Sequence, residues 1–219
     1  MTGTGRLRLA VLISGSGTNL QAIIDAVAAQ DLPVEITAVL SDRPDAYGLQ
    51  RARIAGIPAI AIDYKSFTSR SDYDAQLAKE LAALHPDLIV LAGYMRILPA
   101  AIVNSYHGRM LNVHPSLLPA YPGLNTFARA LAAGEQWHGS TVHFVIPELD
   151  AGPPIIQYRI AVRPDDTETS LRNRVQTGEY RIYPEAIRWI AEGRLCLRGS
   201  AALLDNKPLD GPVIIEGEL

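Results

Sequence analysis

The alternation of β-branched runs with segments of helical spacing, through the first half of the chain, is the strongest constraint on its fold. The runs are mostly continuous in apolar character, as strands buried on both faces require. They occupy residues 7–14, 34–41, 58–63 and 87–93. Between them, apolar side chains recur at helical spacing: Leu20, Ile23, Ile24 and Val27, then Tyr73, Leu77, Leu81 and Leu84. This alternation predicts βαβ units and an α/β fold with a mostly parallel, twisted sheet.

The second half of the chain has a more mixed pattern. Strands are predicted at residues 110–113, 140–145 and 155–162, a long helix at about 169–191, and an edge strand at 194–198. We expect one domain over residues 1–219, because 219 residues with 48% apolar content suit one substantial core. The pattern changes near residue 100, so a half of about 7–105 precedes a half of about 106–200 that shares the same sheet.

Composition excludes several classes of protein. A net charge of −3 argues against a general nucleic-acid or membrane surface. The single Cys196 cannot form an internal disulfide, and no Cys/His spacing predicts a metal site. No apolar leader or membrane-length run is recognisable, so we expect a cytoplasmic protein.

A glycine-rich loop, Ser14-Gly15-Ser16-Gly17-Thr18-Asn19-Leu20, leaves the first predicted strand and opens a helix. Such a loop can close its backbone N–H groups on a single phosphate. A dinucleotide fingerprint would need a third glycine near Leu20, and a Walker loop would need Gly-Lys-Ser/Thr. The alternative is a strand-to-helix turn that binds nothing.

Three candidate segments follow predicted strands and are therefore expected at the same edge of the sheet. They are Ser14-Gly15, Gly93-Tyr94-Met95 and His114. The segment from Leu91 to Pro99 is an apolar loop with one cation, which suits a flat, partly aromatic ligand. Core packing and a helix entry explain that composition equally well.

Asn112, His114 and Asp150 carry the strongest chemical signal. Asn112 and His114 lie in Asn112-Val113-His114-Pro115-Ser116-Leu117-Leu118-Pro119, and Asp150 lies in the segment that runs from Gly139 to Pro153. An amide can donate to a developing oxyanion, an imidazole can exchange a proton near neutral pH, and a carboxylate can keep that imidazole charged. The three predict acyl transfer without a metal or a covalent enzyme intermediate. A turn-capping Asp and core-packed histidines, including His143, are the structural alternatives.

These motifs, in this order and spacing, resemble the folate-dependent formyltransferase family, and within it the enzymes that formylate glycinamide ribonucleotide. The resemblance runs from Val11 to the segment around Arg194. It implies a Rossmann-like fold of about seven strands with helices on both faces of the sheet. It also implies formyl transfer from 10-formyltetrahydrofolate, as cosubstrate, to the amine of glycinamide ribonucleotide in purine biosynthesis. Both partners are small molecules, neither a nucleic acid nor a membrane is implied, and the protein would be a monomer or a homodimer.

The resemblance also implies a role for individual residues. Asn112, His114 and Asp150 would be catalytic. Substrate binding would fall to Gly17, Thr18, Asn19, Gln176 and Glu179, although a helical acid such as Glu179 is most simply a solvated surface residue. The folate cosubstrate would contact Arg70, Met95, Arg96, Ile97, Leu98, Asn112, Ile146, Pro147, Glu148, Leu149 and Asp150.

Two positions depart from the family pattern. Asn125 stands where His is frequent and cannot titrate, and Pro147 replaces a commonly acidic residue and removes a backbone donor. The rival functions are a formyltetrahydrofolate hydrolase, a formyltransferase for initiator tRNA or a sugar amine, a nicotinamide-dependent dehydrogenase and a non-catalytic nucleotide-binding module. We expect no room for the extra domains of the first two, and Leu20 disfavours the dehydrogenase.

Overall fold

The computed structural model describes residues 6–217. The chain divides into two compact units, Met1–Leu111 and Asn112–Leu219. The division lies close to the predicted change of pattern, while the prediction of one domain over residues 1–219 stays a prediction.

The first unit alternates strands with helices, as predicted. Its strands β1 to β4 pair in parallel in the order β4-β1-β2-β3. In chain order the elements are β1 (Leu7–Ile13), α1 (Thr18–Ala28), β2 (Val34–Ser41), α2 (Tyr47–Ile54), β3 (Ala59–Ala61), a 3₁₀ turn (Tyr64–Ser66), α3 (Arg70–Leu84), β4 (Leu88–Leu91) and α4 (Ala100–Ser105).

Burial and capping explain the elements of the first unit. The central strand β1 is buried from Leu9 to Ile13, and β4 is buried throughout, as expected for parallel strands covered on both faces. Helix α3 begins at Ser69, whose hydroxyl accepts a 3.1 Å bond from the N–H of Asp72. It buries the predicted stripe of Tyr73, Leu77 and Leu81.

The second unit combines antiparallel and parallel pairing. Strands β6 and β7 are antiparallel, β7 and β11 are parallel, and the order is β11-β7-β6-β5. The elements are β5 (Met110–His114), which starts at the end of the first unit, then α5 (Thr126–Ala132), β6 (Trp137–Phe144), β7 (Pro154–Ala161), α6 (Glu168–Ala191), β8 (Leu195–Arg198), β9 (Ala201–Leu204), β10 (Lys207–Pro208) and β11 (Val213–Glu216).

The α/β class and the predominance of parallel pairing are confirmed, and the number of strands differs from the predicted number by one. Eight strands make up the main sheet rather than seven, because Val213–Glu216 adds β11 alongside β7. The edge strand predicted at residues 194–198 is present as β8, Leu195–Arg198. It lies at the edge of a separate antiparallel sheet of three strands, where it pairs with β9.

A buried polar network fixes the loop that follows β5. The hydroxyl of Thr141 donates to the carbonyl of Ser116 at 2.7 Å and accepts from the N–H of Leu118 at 3.0 Å. The amide of Gln157 donates to the carbonyl of Leu118 and to the same hydroxyl. Buried polar groups that are all paired hold one arrangement firmly. The rigid loop predicted after His114 is thus supported by side chains of β6 and β7.

Within residues 6–217, no helix is long and apolar enough to cross a membrane. The same residues contain no group of three or more His, Cys, Asp or Glu side chains placed to hold a metal ion.

Candidate active site

The glycine-rich loop of the first unit is shaped by a close backbone approach. Gly17 precedes α1 in the left-handed region, with φ at 70°. A Cβ at Gly17 would lie 2.7 Å from the Cα of Gly48 in α2, and a Cβ at Gly48 would meet the Ile13 side chain at 2.4 Å. Gly17 therefore requires glycine, whereas a Cβ at Gly48 would have to displace the end of the Ile13 side chain. The predicted phosphate residues Thr18 and Asn19 form the first turn of α1, where N–H groups lack helical acceptors and favour an anion.

The positively charged side chain of Arg51, in α2, contacts this loop. The guanidinium of Arg51 donates to the carbonyl of Ser16 at 2.9 Å and to the side-chain oxygen of Gln21 at 3.0 Å. It therefore adds positive charge beside the loop, which favours a bound anion. Arg51 could not be identified from the sequence, because α2 has no clear stripe of apolar side chains at helical spacing.

The loop after β4 is tied to the glycine-rich loop. The N–H of Ser14 donates to the carbonyl of Gly93 at 3.1 Å, and the Ser14 hydroxyl accepts from the N–H of Met95 at 2.9 Å. The shared edge predicted for these two segments is confirmed. Arg70 donates to the carbonyl of Ile97 at 2.7 Å and thereby connects the start of α3 to this loop.

The predicted folate residues of this loop differ in exposure. Met95 is 73% exposed and Ile97 57% exposed, whereas Leu98 is buried. Large exposed apolar side chains on a tethered loop fit a flat aromatic ligand. The guanidinium of Arg96 is held by Asp42 at 2.7 Å, so this side chain is engaged within the protein.

In the second unit, both ring nitrogens of His114 face acceptors. Nε2 lies 2.9 Å from the carbonyl oxygen of Tyr121, which can only accept, so Nε2 carries a proton. Nδ1 lies 3.4 Å from Oδ2 of Asp150, and both side chains are 7% exposed. A ring with an acceptor at each nitrogen is arranged for the doubly protonated, charged form. The predicted pairing of imidazole and carboxylate is thus present.

His143 orients the amide of Asn112. Its Nδ1 donates to the carbonyl of Phe144 at 2.9 Å, so its Nε2 is an acceptor, and the Asn112 Nδ2 donates to it at 3.1 Å. Burial lowers the pKa of His143 to about 4, which keeps this ring neutral at physiological pH. The second N–H of Asn112 remains for another acceptor. His143 therefore positions Asn112, a role left open by the sequence.

Asp150 is placed by an unusual backbone conformation. Its φ is 52°, a left-handed value that Asp tolerates better than most residues. Oδ2 accepts from the N–H of Gly123 at 2.9 Å, and Oδ1 lies 3.9 Å from Nε2 of His143. Gly152 lets the loop return to β6, because a Cβ there would lie 1.8 Å from the carbonyl oxygen of Phe144. The carboxylate of Asp150 thus faces Nδ1 of His114 and lies near the neutral ring of His143 without a hydrogen bond to it. The other predicted folate residues of its loop, Ile146, Pro147, Glu148 and Leu149, are intermediate or exposed.

The two candidate substrate residues of α6 lie on the same helix with unequal exposure. Gln176 has intermediate exposure, while Glu179 is only 5% exposed. The surface interpretation of Glu179 was therefore wrong. Next to Glu179, α6 packs closely on β7, since a Cβ at Gly178 would overlap the ring of Tyr158. Asn125, one of the departures from the family pattern, is exposed and precedes α5 without a side-chain capping bond.

Two buried histidines make the stability of the fold depend on pH. Burial lowers the pKa of His138, like that of His143, to about 4, whereas the unfolded value is about 6.5. Between pH 6.5 and 4, the unfolded chain takes up protons that the folded chain does not. We therefore expect the free energy of unfolding to be constant above about pH 6.5 and to fall progressively below it.

Urea unfolding at several pH values from about 7 to 4.5 measures this effect. His138→Asn should show a shallower decrease than the unsubstituted protein, while His107→Asn, at an exposed position, should retain the full slope. A flat profile in the unsubstituted protein would contradict the assignment.

Comparisons with known proteins agree with this geometry. The family model described as formyl transferase matches residues 7–187. Phosphoribosylglycinamide formyltransferase of Escherichia coli (strain K12) is 49% identical over 203 residues, which cover 93% of this chain and 96% of that protein. The structure of the enzyme of that name from Coxiella burnetii, in complex with CHES, is 51% identical, with a TM-score of 0.91 over 96% of this chain and 100% of the other. Glycinamide ribonucleotide transformylase 1 from Symbiobacterium toebii is 48% identical, with a TM-score of 0.88 over 92% and 95%.

Proposed function

Because this chain belongs to the formyl transferase family, we propose that it transfers a formyl group from 10-formyltetrahydrofolate to the amine of glycinamide ribonucleotide. The products are formylglycinamide ribonucleotide and tetrahydrofolate, a step of purine biosynthesis. The observation that carries the proposal is the buried pair of His114 and Asp150, whose Nδ1 and Oδ2 atoms lie 3.4 Å apart. This pair occurs in a chain of the formyl transferase family.

Asn112, His114 and Asp150 act on the developing charge. When the amine adds to the formyl carbon, negative charge grows on the formyl oxygen. The N–H of Asn112 that is not bonded to His143 donates to this oxygen, and the protonated ring of His114 supplies a second donor. Its Nδ1–H is the more available, because 3.4 Å to Asp150 exceeds a normal charge-assisted bond. Asp150 stabilises the charged ring and, through water, moves the proton of the amine to the departing nitrogen.

Most of the residues that bind the two reactants, rather than act on the reacting atoms, belong to the first unit. Gly17, Thr18 and Asn19 hold the phosphate at the start of α1, supported by the positive charge of Arg51. Met95 and Ile97 cover the folate ring, with Arg70 fixing the carbonyl of Ile97. From the second unit, Gln176 and Glu179 contact the ribose and glycinamide part.

The folate cosubstrate supplies an acyl group bound to nitrogen and needs aromatic and hydrogen-bonding contacts from the protein. The exposed apolar side chains of the 93–98 loop fit such a ring. The nature of the partners as two small molecules follows from the proposed reaction. A cytoplasmic location, and a monomeric or homodimeric state, stay predictions.

An assay of formyl-folate consumption tests the function. We expect 10-formyltetrahydrofolate to be consumed only when glycinamide ribonucleotide is present, with one formylated ribonucleotide formed for each tetrahydrofolate. Consumption without the amine would indicate a hydrolase, and no consumption would favour a binding module. Either outcome would contradict the proposal.

A further inference from the structure

The loop after β4 is tethered at consecutive residues by groups of the first unit. Ser14 holds Gly93 and Met95, and Arg70 holds Ile97. The remaining two residues, Tyr94 and Arg96, are held by their side chains. Among the described residues 6–217, the contact of Arg96 with Asp42 is the only one of these loop contacts that is an ion pair.

Arg96 is held on two sides. Its Nε donates to Oδ2 of Asp42 at 2.7 Å, and its Cζ lies 3.2 Å from the centroid of the Tyr64 ring. Asp42 is 4% exposed, in contrast to the carboxylates of ordinary surface pairs. A carboxylate on one side and an aromatic face on the other leave the guanidinium little freedom. The backbone of Arg96 is therefore fixed through its own side chain.

The hydroxyl of Tyr94 adds a second side-chain tether. It forms a short hydrogen bond with the hydroxyl of Tyr73 on α3. Burial raises the pKa of Tyr94 well above its usual range, so both hydroxyls stay protonated. Tyr73 also lies edge-on to Tyr64, with ring centroids 5.1 Å apart. The aromatic side chains thus connect the Tyr94 tether to the ring that holds Arg96.

The burial of the Asp42 carboxylate is energetically unfavourable, which is unexpected for a residue that only stabilises the fold. Its other oxygen, Oδ1, is buried and has no hydrogen-bond partner among residues 6–217. A buried polar atom without a partner is unfavourable, and a buried ion pair is weak support for stability. Asp42 directly follows β2, at the carboxyl end of a parallel strand, where ligands bind in open α/β sheets. The unfavourable burial of Asp42 is therefore better explained by a role in positioning Arg96 than by a role in core packing.

We propose that Asp42 is a positioning residue for the folate cosubstrate, acting through Arg96 on the loop that presents Met95 and Ile97. The proposal rests on the function proposed above, since it assigns that loop to the folate ring. Asp42 touches neither reactant and supplies no proton. Its effect is confined to the affinity for the cosubstrate, because a loop already fixed in its bound arrangement loses less freedom on binding.

Asp42→Asn tests this role, because it removes the charge at nearly constant volume. We expect the KM for 10-formyltetrahydrofolate to rise about tenfold. The KM for glycinamide ribonucleotide should stay within about twofold, and kcat at saturation within about threefold. Calorimetry with tetrahydrofolate should show a matching loss of affinity. Asp45→Asn is the matched control, since Asp45 forms an exposed pair with Arg43, and should change none of these quantities.

A double substitution separates positioning from general weakening. In an Arg96→Met background, Asp42→Asn should cause no further loss of tetrahydrofolate affinity, because its only route of action is gone. If Asp42→Asn does not fold, Tyr64→Leu removes the nearer of the two aromatic rings beside the guanidinium and should raise the same KM about threefold. An equal rise of both KM values, or a lower Tm with unchanged affinities, would overturn the inference. If the unsubstituted protein neither turns over nor binds tetrahydrofolate, the proposed function itself fails.

Discussion

His114→Ala should lower kcat about a hundredfold to a thousandfold, the usual effect of removing one donor to a developing oxyanion. The substitution removes the ring whose nitrogens face Tyr121 and Asp150, at 2.9 and 3.4 Å. Asn112 keeps its orientation, because its partner is His143. A second donor therefore survives, and the remaining activity should exceed that of the reaction in water. Binding of the two reactants should change little, because the donor acts mainly on charge present in the transition state.

Single-turnover kinetics with both reactants saturating measures this effect, since it isolates the chemical step. His107→Ala is the matched control, at an exposed position of the first unit, and should retain full activity. Affinity for tetrahydrofolate within about threefold of the unsubstituted protein would show that the fold of the site survives. Near-normal turnover in His114→Ala would remove the imidazole from the mechanism.

Most elements of the fold could be predicted because apolar periodicity determined them. The predicted strand at residues 34–41 coincides with β2, and the long helix begins and ends within a residue of α6. The strand β11 was not predicted, because Val213–Glu216 has only four residues. Such a short run predicts pairing weakly on its own and becomes a strand here by pairing with β7.

The sequence allowed the candidate catalytic residues to be named, but it did not allow the contacts between them and their neighbours to be predicted. Asn112, His114 and Asp150 carry reactive groups within short runs that contain Pro or Gly, and this signal is local in sequence. The role of His143 depends on the pairing of β6 with β7, which shifts register between Val142 and His143. A register shift of this kind redirects a side chain, and the sequence did not reveal it. The contact of Asp42 with Arg96 likewise joins residues 54 positions apart, with no motif at Asp42.

Asp150→Asn should lower the chemical rate at least about a hundredfold while the backbone of its loop keeps its course. Asn tolerates the left-handed conformation at φ 52° as well as Asp does, and its side-chain oxygen can still accept from Gly123. What disappears is the negative charge 3.4 Å from Nδ1 of His114, so the charged ring becomes less favourable.

The measurement is a single-turnover rate for Asp150→Asn between about pH 6 and 8. Asp165→Asn, at an exposed position of the second unit, is the control and should follow the unsubstituted protein throughout. The double variant His114→Ala with Asp150→Asn should lose much less than the product of the two single losses, because residues that act as a unit are not additive. Multiplicative losses would mean that Asp150 acts independently of the imidazole. The 3.4 Å contact would then describe packing rather than chemistry.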